Sequence, residues 1–179
     1  MTEVTPLSAE EFQPLITPAA TIYGLAMARP PEVVIQRREL IAVHLDYPGF
    51  VAAGAFDGTG TRDPARLLGF CYGYRGAPGQ WWHDVVSGAI GRAETRRWLH
   101  DSFEIAELHV DPAHHGRGIG GALLADVLSR CGAKHAVLST PDTESPARQL
   151  YRSRGFVDLL VGFEFPGSRE IYAVMGLDL

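Results

Sequence analysis

Residues 103–128 read FEIAELHVDPAHHGRGIGGALLADVL, and this stretch decides the fold. Phe103 to Val110 is a strand, stopped by Asp111-Pro112. A glycine-rich loop follows, His115-Gly116-Arg117-Gly118-Ile119-Gly120-Gly121. Leu123, Leu124, Val127 and Leu128 then share one face of a helix that ends near Gly132. Strand, glycine turn and helix together aim free backbone N–H groups at an anion, and the helix dipole adds roughly half a positive charge there. Glycine suits such a loop because phosphates approach the backbone closely and some turn positions need positive φ. Arg117 can add a side-chain contact.

The kind of anion follows from what the loop lacks. A nucleoside triphosphate loop needs Gly-Lys-Ser/Thr at its end, and none is present. Gly116, Gly118 and Gly121 do match GxGxxG, with Asp142 about one strand later. That fingerprint opens a doubly wound domain, whereas only 58 residues follow Gly121, enough for three strands and one helix. A dinucleotide-dependent oxidoreductase is therefore disfavoured.

Outward from the loop, the order is mixed α/β. Ser8 followed by Glu11 makes a capping box, and helical spacing runs on through Leu15, Ile16, Ile22, Leu25 and Met27, interrupted by Pro14 and Pro18. A second helix starts near Glu32 and stops before Tyr47-Pro48-Gly49. Phe50–Phe56 and Leu67–Tyr74 read as a hairpin turning at Asp57-Gly58-Thr59-Gly60. Residues 77–102 insert a short helix around Trp81 to Ile90 and another at Ala93 to Leu99. Downstream come a strand at His135–Ser139, a helix from Ser145 to Arg154 closed by Gly155, and two strands at Phe156–Phe163 and Glu170–Leu177.

Composition sets the outer limits. The 179 residues carry 16 basic and 21 acidic side chains, a net charge of -5, which argues against nucleic-acid or membrane-surface partners. One domain spanning residues 1–179 is expected at this length, since no repeat or linker appears. Cys71 and Cys131 form no CxxC pair, the N-terminus shows no signal-peptide pattern, and no run of about 18 apolar residues occurs. A cytoplasmic protein is expected. His109, Asp111, His114 and His115 lie close together but match no zinc-ligand spacing, so no metal is expected. The charge is divided: residues 114–154 carry +3 and the rest -8, which suits a polyanionic cofactor and a cationic acceptor.

Two motifs at their proper separation carry a family likeness. Leu108-His109-Val110-Asp111-Pro112 leads into His115-Gly116-Arg117-Gly118-Ile119-Gly120, and Ala147-Arg148-Gln149-Leu150-Tyr151-Arg152-Ser153-Arg154-Gly155-Phe156 follows. Together with the helix–helix–hairpin prelude, this resembles the GNAT superfamily of acyl-CoA-dependent N-acyltransferases from about Pro6 onward. His115 replaces the family's usual Arg or Gln, and Glu144 stands where many members carry Asn. The resemblance implies a mixed, mostly antiparallel sheet of about seven strands flanked by helices. The 77–102 insertion would fall between the third and fourth strands.

The resemblance also implies acetyl-CoA as co-substrate, with its pyrophosphate on the amides of His115, Gly116, Arg117, Gly118, Ile119, Gly120 and Gly121. Its pantetheine would pair with the backbone of Leu108, His109 and Val110, by strand addition. Glu144 and Arg148 fall among the cofactor contacts. Tyr151 matches the family's thiolate-protonating tyrosine, a donor at neutral pH because a phenol titrates near ~10. For the base, Glu104 and Glu107 both lie on the strand, three residues apart and so on opposite faces. Glu104 is six before Val110, the even spacing usual for an acidic or histidine base; Glu107 needs a bulge. Either carboxylate can instead attract a cationic acceptor.

Trp81, Trp82 and Glu104 are expected on the acceptor side. The acceptor itself is a primary amine of a small molecule or protein, and a symmetric homodimer is the expected assembly. A non-catalytic acyl-CoA-binding module of the same fold is the competing reading.

Overall fold

Ser8 starts the first helix as its spacing from Glu11 requires. The Ser8 hydroxyl accepts from the Glu11 amide, and the Glu11 carboxylate accepts from the Ser8 amide at 2.9 Å. In a computed structural model, which describes all residues from Met1 to Leu179, six helices and seven strands follow one another along the chain. The helices are α1 (Ala9–Phe12), α2 (Ile16–Ala26), α3 (Pro31–His44), α4 (Trp81–Trp98), α5 (Ile119–Arg130) and α6 (Pro146–Ser153). The strands are β1 (Thr2–Leu7), β2 (Val51–Asp57), β3 (Leu67–Arg75), β4 (Ser102–Val110), β5 (His135–Pro141), β6 (Val157–Glu164) and β7 (Ile171–Asp178). They hydrogen-bond in the order β1-β2-β3-β4-β5-β7-β6, a mixed seven-stranded sheet. The β4–β5 pairing is parallel, while β1–β2, β2–β3, β5–β7 and β6–β7 are antiparallel.

Two local outcomes differ from the sequence expectation. β1 lies ahead of the first expected element and pairs with β2 from Thr2↔Asp57 to Leu7↔Ala52. Its polar residues and Pro6 mask it in the sequence, but a sheet edge tolerates a proline that cannot donate. Pro14 and Pro18 break nothing, because each sits in the first turn of a helical segment, where the missing N–H has no partner to lose. α4 is two helices meeting at a kink at Gly91, where φ is 81° and ψ 167°, in keeping with the two short helices expected there.

The chain divides into two compact units, each built from two separate stretches. The first comprises Met1–Tyr74 and Ala106–Gly132. Its core gathers Phe12, Leu15, Ile22 and Ile41 against Ala52, Phe56, Phe70 and Tyr72. α5 packs on β1 and β2, burying Leu123, Leu124 and Val127. Arg130 at its end donates to the Ala52 carbonyl at 2.7 Å. The second unit comprises Arg75–Ile105 and Ala133–Leu179. There Val86, Trp98 and Leu99 bury against Val137, Phe165 and Val174. β4 belongs to both units, its first four residues to the second and its last five to the first.

Gly69 on β3 fixes how closely that strand approaches the end of β4. A Cβ there would stand 2.9 Å from the His109 carbonyl oxygen and 3.2 Å from the Val110 Cα, both backbone atoms that cannot swing aside. Gly69→Ala is expected to cost ~1–3 kcal/mol by overpacking, read as a lower urea midpoint. An unchanged midpoint would show that the two strands can separate freely.

Candidate active site

The loop is built as its glycines predict. Gly116 and Gly118 have φ of 74° and 77°, left-handed values that glycine accepts at little cost. Neither has an atom within 4 Å of the position a Cβ would take, so the loop's surface is open. Gly118 is the N-cap of α5 and, having no side chain, caps it with none. His115 donates from Nε2 to the Val110 carbonyl at 2.8 Å and so fastens the loop to the end of β4. Arg117 is exposed, at the tip, with only a 3.5 Å contact to the Ala113 carbonyl. Asp111 caps the turn before the loop by accepting from the Ala113 amide at 2.9 Å.

The basic excess of residues 114–154 is mostly spent internally. Arg148 is buried, and its guanidinium binds Asp142 and, at 3.1 Å, Asp158. Arg152 takes Glu144 at 2.7 Å, and Arg130 takes Asp126. Asp142 also accepts from the Gly162 amide at 2.7 Å. Hydrogen bonding from Arg148 and that amide holds the Asp142 carboxyl below its ordinary range. Arg148 therefore clamps the end of β5, α6 and β6 together, and Glu144 is engaged by Arg152. Arg117 is the cation that stays with the loop.

Tyr151 is buried on α6, 6% exposed, its ring edge-on to Phe156 at 5.7 Å. Ser145 caps that helix by accepting from the Arg148 amide at 3.2 Å. Glu104 is likewise buried in β4, at 5% exposure, where β4 pairs with Val137 of β5. Trp82 donates from its indole N–H to Ser139 at 3.1 Å. Trp81 is 58% exposed and lies against Phe165, ring centres 5.7 Å apart.

Glu107 sits in surroundings that the motifs did not reveal. Only 4% exposed, it accepts from Arg37 Nη1 at 2.6 Å on one oxygen and from His109 Nε2 at 2.6 Å on the other. Arg37 also donates to the Tyr23 hydroxyl at 3.1 Å and lies over that ring at 4.4 Å. Burial pushes the Glu107 carboxyl up, but the His109 hydrogen bond and the Arg37 charge outweigh it and hold it below the ordinary range. Beside this pair, His44 lies 2.9 Å from the Tyr72 hydroxyl and stacks obliquely on Tyr47 and Tyr74. Tyr23, Arg37 and His44 sit on α2 and α3, and the motif-based reading passed over them. Their signal was present only as polar residues on helices whose apolar positions mark no single buried face.

The chain is similar to known acetyltransferases. The GNAT acetyltransferase domain profile matches residues 77–158. A GCN5-like protein acetyltransferase of Mycobacterium tuberculosis is 33% identical over 185 residues, covering 90% of this chain and 90% of its own. Among solved structures, the ribosomal-protein-S18-alanine N-acetyltransferase of Escherichia coli superposes with a TM-score of 0.64 at 17% identity, covering 99% of this chain and 94% of its own. The PaiA N-acetyltransferase of Thermoplasma acidophilum, solved with coenzyme A, does so with 0.63 at 17% identity, over 100% and 99%. At such identities the two structures share the fold.

Burial lowers the pKa of His44 from 6.5 to about 4. Between those values the unfolded chain binds more protons than the folded one, so stability falls as pH drops through that window. The expected loss is ~3 kcal/mol from pH 6.5 to 4, read by urea unfolding at stepped pH. His44→Gln should flatten that part of the curve.

Proposed function

The chain belongs to the GNAT acetyltransferase family and is an acyltransferase, and we propose that it moves an acetyl group from acetyl-CoA to a primary amine. The observation that carries the cofactor half is the open, uncapped N-terminus of α5 behind two left-handed glycines. Amides so placed suit a pyrophosphate, and the exposed Arg117 supplies a cation beside them. The backbone of Leu108 to Val110 offers the pantetheine a strand edge to pair with. The bound coenzyme A of the Thermoplasma structure supports that choice of co-substrate. The mycobacterial relative is a protein acetyltransferase, which supports a protein amine as acceptor.

The chemistry is direct attack. The amine nitrogen bonds to the thioester carbonyl carbon, the C–S bond breaks, one N–H proton leaves and the thiolate is protonated. Tyr151 gives that last proton to the thiolate from its phenol, a donor at neutral pH. Proton removal from the amine falls to β4, the strand that carries Glu104, Glu107 and His109. Glu107 is poorly suited to it, because both oxygens already accept charged or polar donors and its carboxyl is held ionised. Arg148 and Glu144 act in this reading by holding the β5–α6 connection in place rather than by touching phosphate. Trp81 remains the aromatic of residues 77–102 that is open to an acceptor.

Acetyl-CoA should raise the melting temperature while NAD(P) leaves it unchanged, and thiol release over an amine panel should show turnover. Stabilisation by NAD(P) alone would sink the proposal. Stabilisation by acetyl-CoA without turnover on any amine would favour a binding module. Tyr151→Phe should lower kcat by about 10²–10⁴-fold with little change in acetyl-CoA affinity.

A further inference from the structure

The Arg37–Glu107–His109 chain is a costly object. A carboxylate with 3% side-chain exposure loses its hydration, and a pair of ions so buried is often no more stable than apolar residues of the same volume. Glu107 and His109 are two apart on β4 and so share a face. An ionised carboxylate only accepts, so the 2.6 Å contact requires His109 Nε2 to carry the hydrogen. The neutral ring then has its lone pair on Nδ1. That nitrogen has no hydrogen-bond partner in the protein, and it is not among the fully buried unsatisfied atoms.

The ring is held from two further sides, edge-on to Tyr23 at 5.2 Å and tilted to Phe70 at 5.7 Å. Every element packed on this region contributes to its electrostatics. α2 brings Tyr23, α3 brings Arg37 and His44, β3 brings Tyr72, and β4 brings Glu107 itself. Arg37 cancels the Glu107 charge at rest, and the carboxylate remains in place to stabilise an imidazolium when one forms.

We infer that His109, oriented by Glu107, is the base that removes the acceptor's proton. The inference rests on the acetyl-transfer reading above. As the amine nitrogen bonds to the acetyl carbon and the C–S bond breaks, the N–H proton passes to His109 Nδ1 and the thiolate takes the Tyr151 proton. The imidazolium then returns its proton through solvent to the tyrosinate, so the enzyme ends as it began. Imidazole is the side chain whose proton exchange is in general best matched to neutral pH, which suits it to the role of a general base. Glu107 and Arg37 are positioning residues in this arrangement: the carboxylate sets the tautomer and the guanidinium fixes the carboxylate.

The test has two arms. Long-range 15N correlation spectra of the intact protein at pH 8 read the tautomer without any substrate. His109 Nε2 is expected protonated and Nδ1 bare, and the reverse assignment overturns the proposal. The second arm is the pH profile of kcat/KM for an amine that the wild type acetylates, with acetyl-CoA saturating. His109→Gln and His109→Asn should lower the neutral-pH rate about 10²–10³-fold and abolish the acid limb, with acetyl-CoA affinity unchanged. Glu107→Gln should keep a limb but move it to lower pH, since the imidazolium loses its counter-charge. Glu104→Gln should leave the limb in place. A limb that disappears in Glu104→Gln and persists in His109→Gln overturns the proposal in favour of Glu104. Failure of the wild type to bind acetyl-CoA or to acetylate any amine removes the underlying reading instead, and with it this assignment.

Discussion

A carboxylate buried on a strand must find positive charge nearby, or lose its own charge. Glu107 finds it in Arg37, thirty-odd residues into the chain and on a helix, and that single requirement organises much of the first unit. Arg37 can reach Glu107 only if α3 lies over the face of β4 that Glu107 and His109 share. The same guanidinium takes the Tyr23 hydroxyl and ring, so α2 is placed by the same cation. Helix propensity does not explain these positions, because neither α2 nor α3 has a pronounced apolar stripe. The polar network supplies the register that hydrophobic patterning leaves open, which is the best-attested use of buried charge.

Where the signal is local, the sequence carried it well. The capping box at Ser8, the glycines before α5, Pro146 in the first turn of α6 and Gly155 at its end are decided within a few residues, and all form as read. The two helices on either side of Gly91 were legible for the same reason. β1 was not, since its strand character comes from pairing with β2 some fifty residues away and not from its own mix of Thr, Glu and Pro. The site divides along the same line. The anion loop is a contiguous motif, whereas Tyr23, Arg37 and His44 reach Glu107 and its neighbours only through tertiary packing. Charge counting was the weakest guide. The +3 of residues 114–154 suggested a cationic cradle, but Arg130, Arg148 and Arg152 are answered by Asp126, Asp142, Asp158 and Glu144.

The contrast between the two cationic systems is informative. Arg148 bridges two aspartates at the end of β5 and holds a connection rigid, a mechanical task in which charge serves geometry. Arg37 is matched against one carboxylate whose second oxygen is given to a histidine, so its charge bears on a group that can itself change protonation. Exposed ion pairs such as Arg62–Glu11 contribute little beside either, because water and salt screen them.

Gly91 has a practical consequence. Its backbone leaves helical geometry in the middle of α4, its surroundings are open for 4 Å where a side chain would stand, and the residues from Gly91 to Glu94 are all exposed. In topological terms the helix already contains a loop one residue long. Such a point is a natural seam: a peptide tag, a reporter domain or a new pair of chain termini introduced there would interrupt no core side chain, and the two half-helices would keep their own buried faces through Val86 and Trp98.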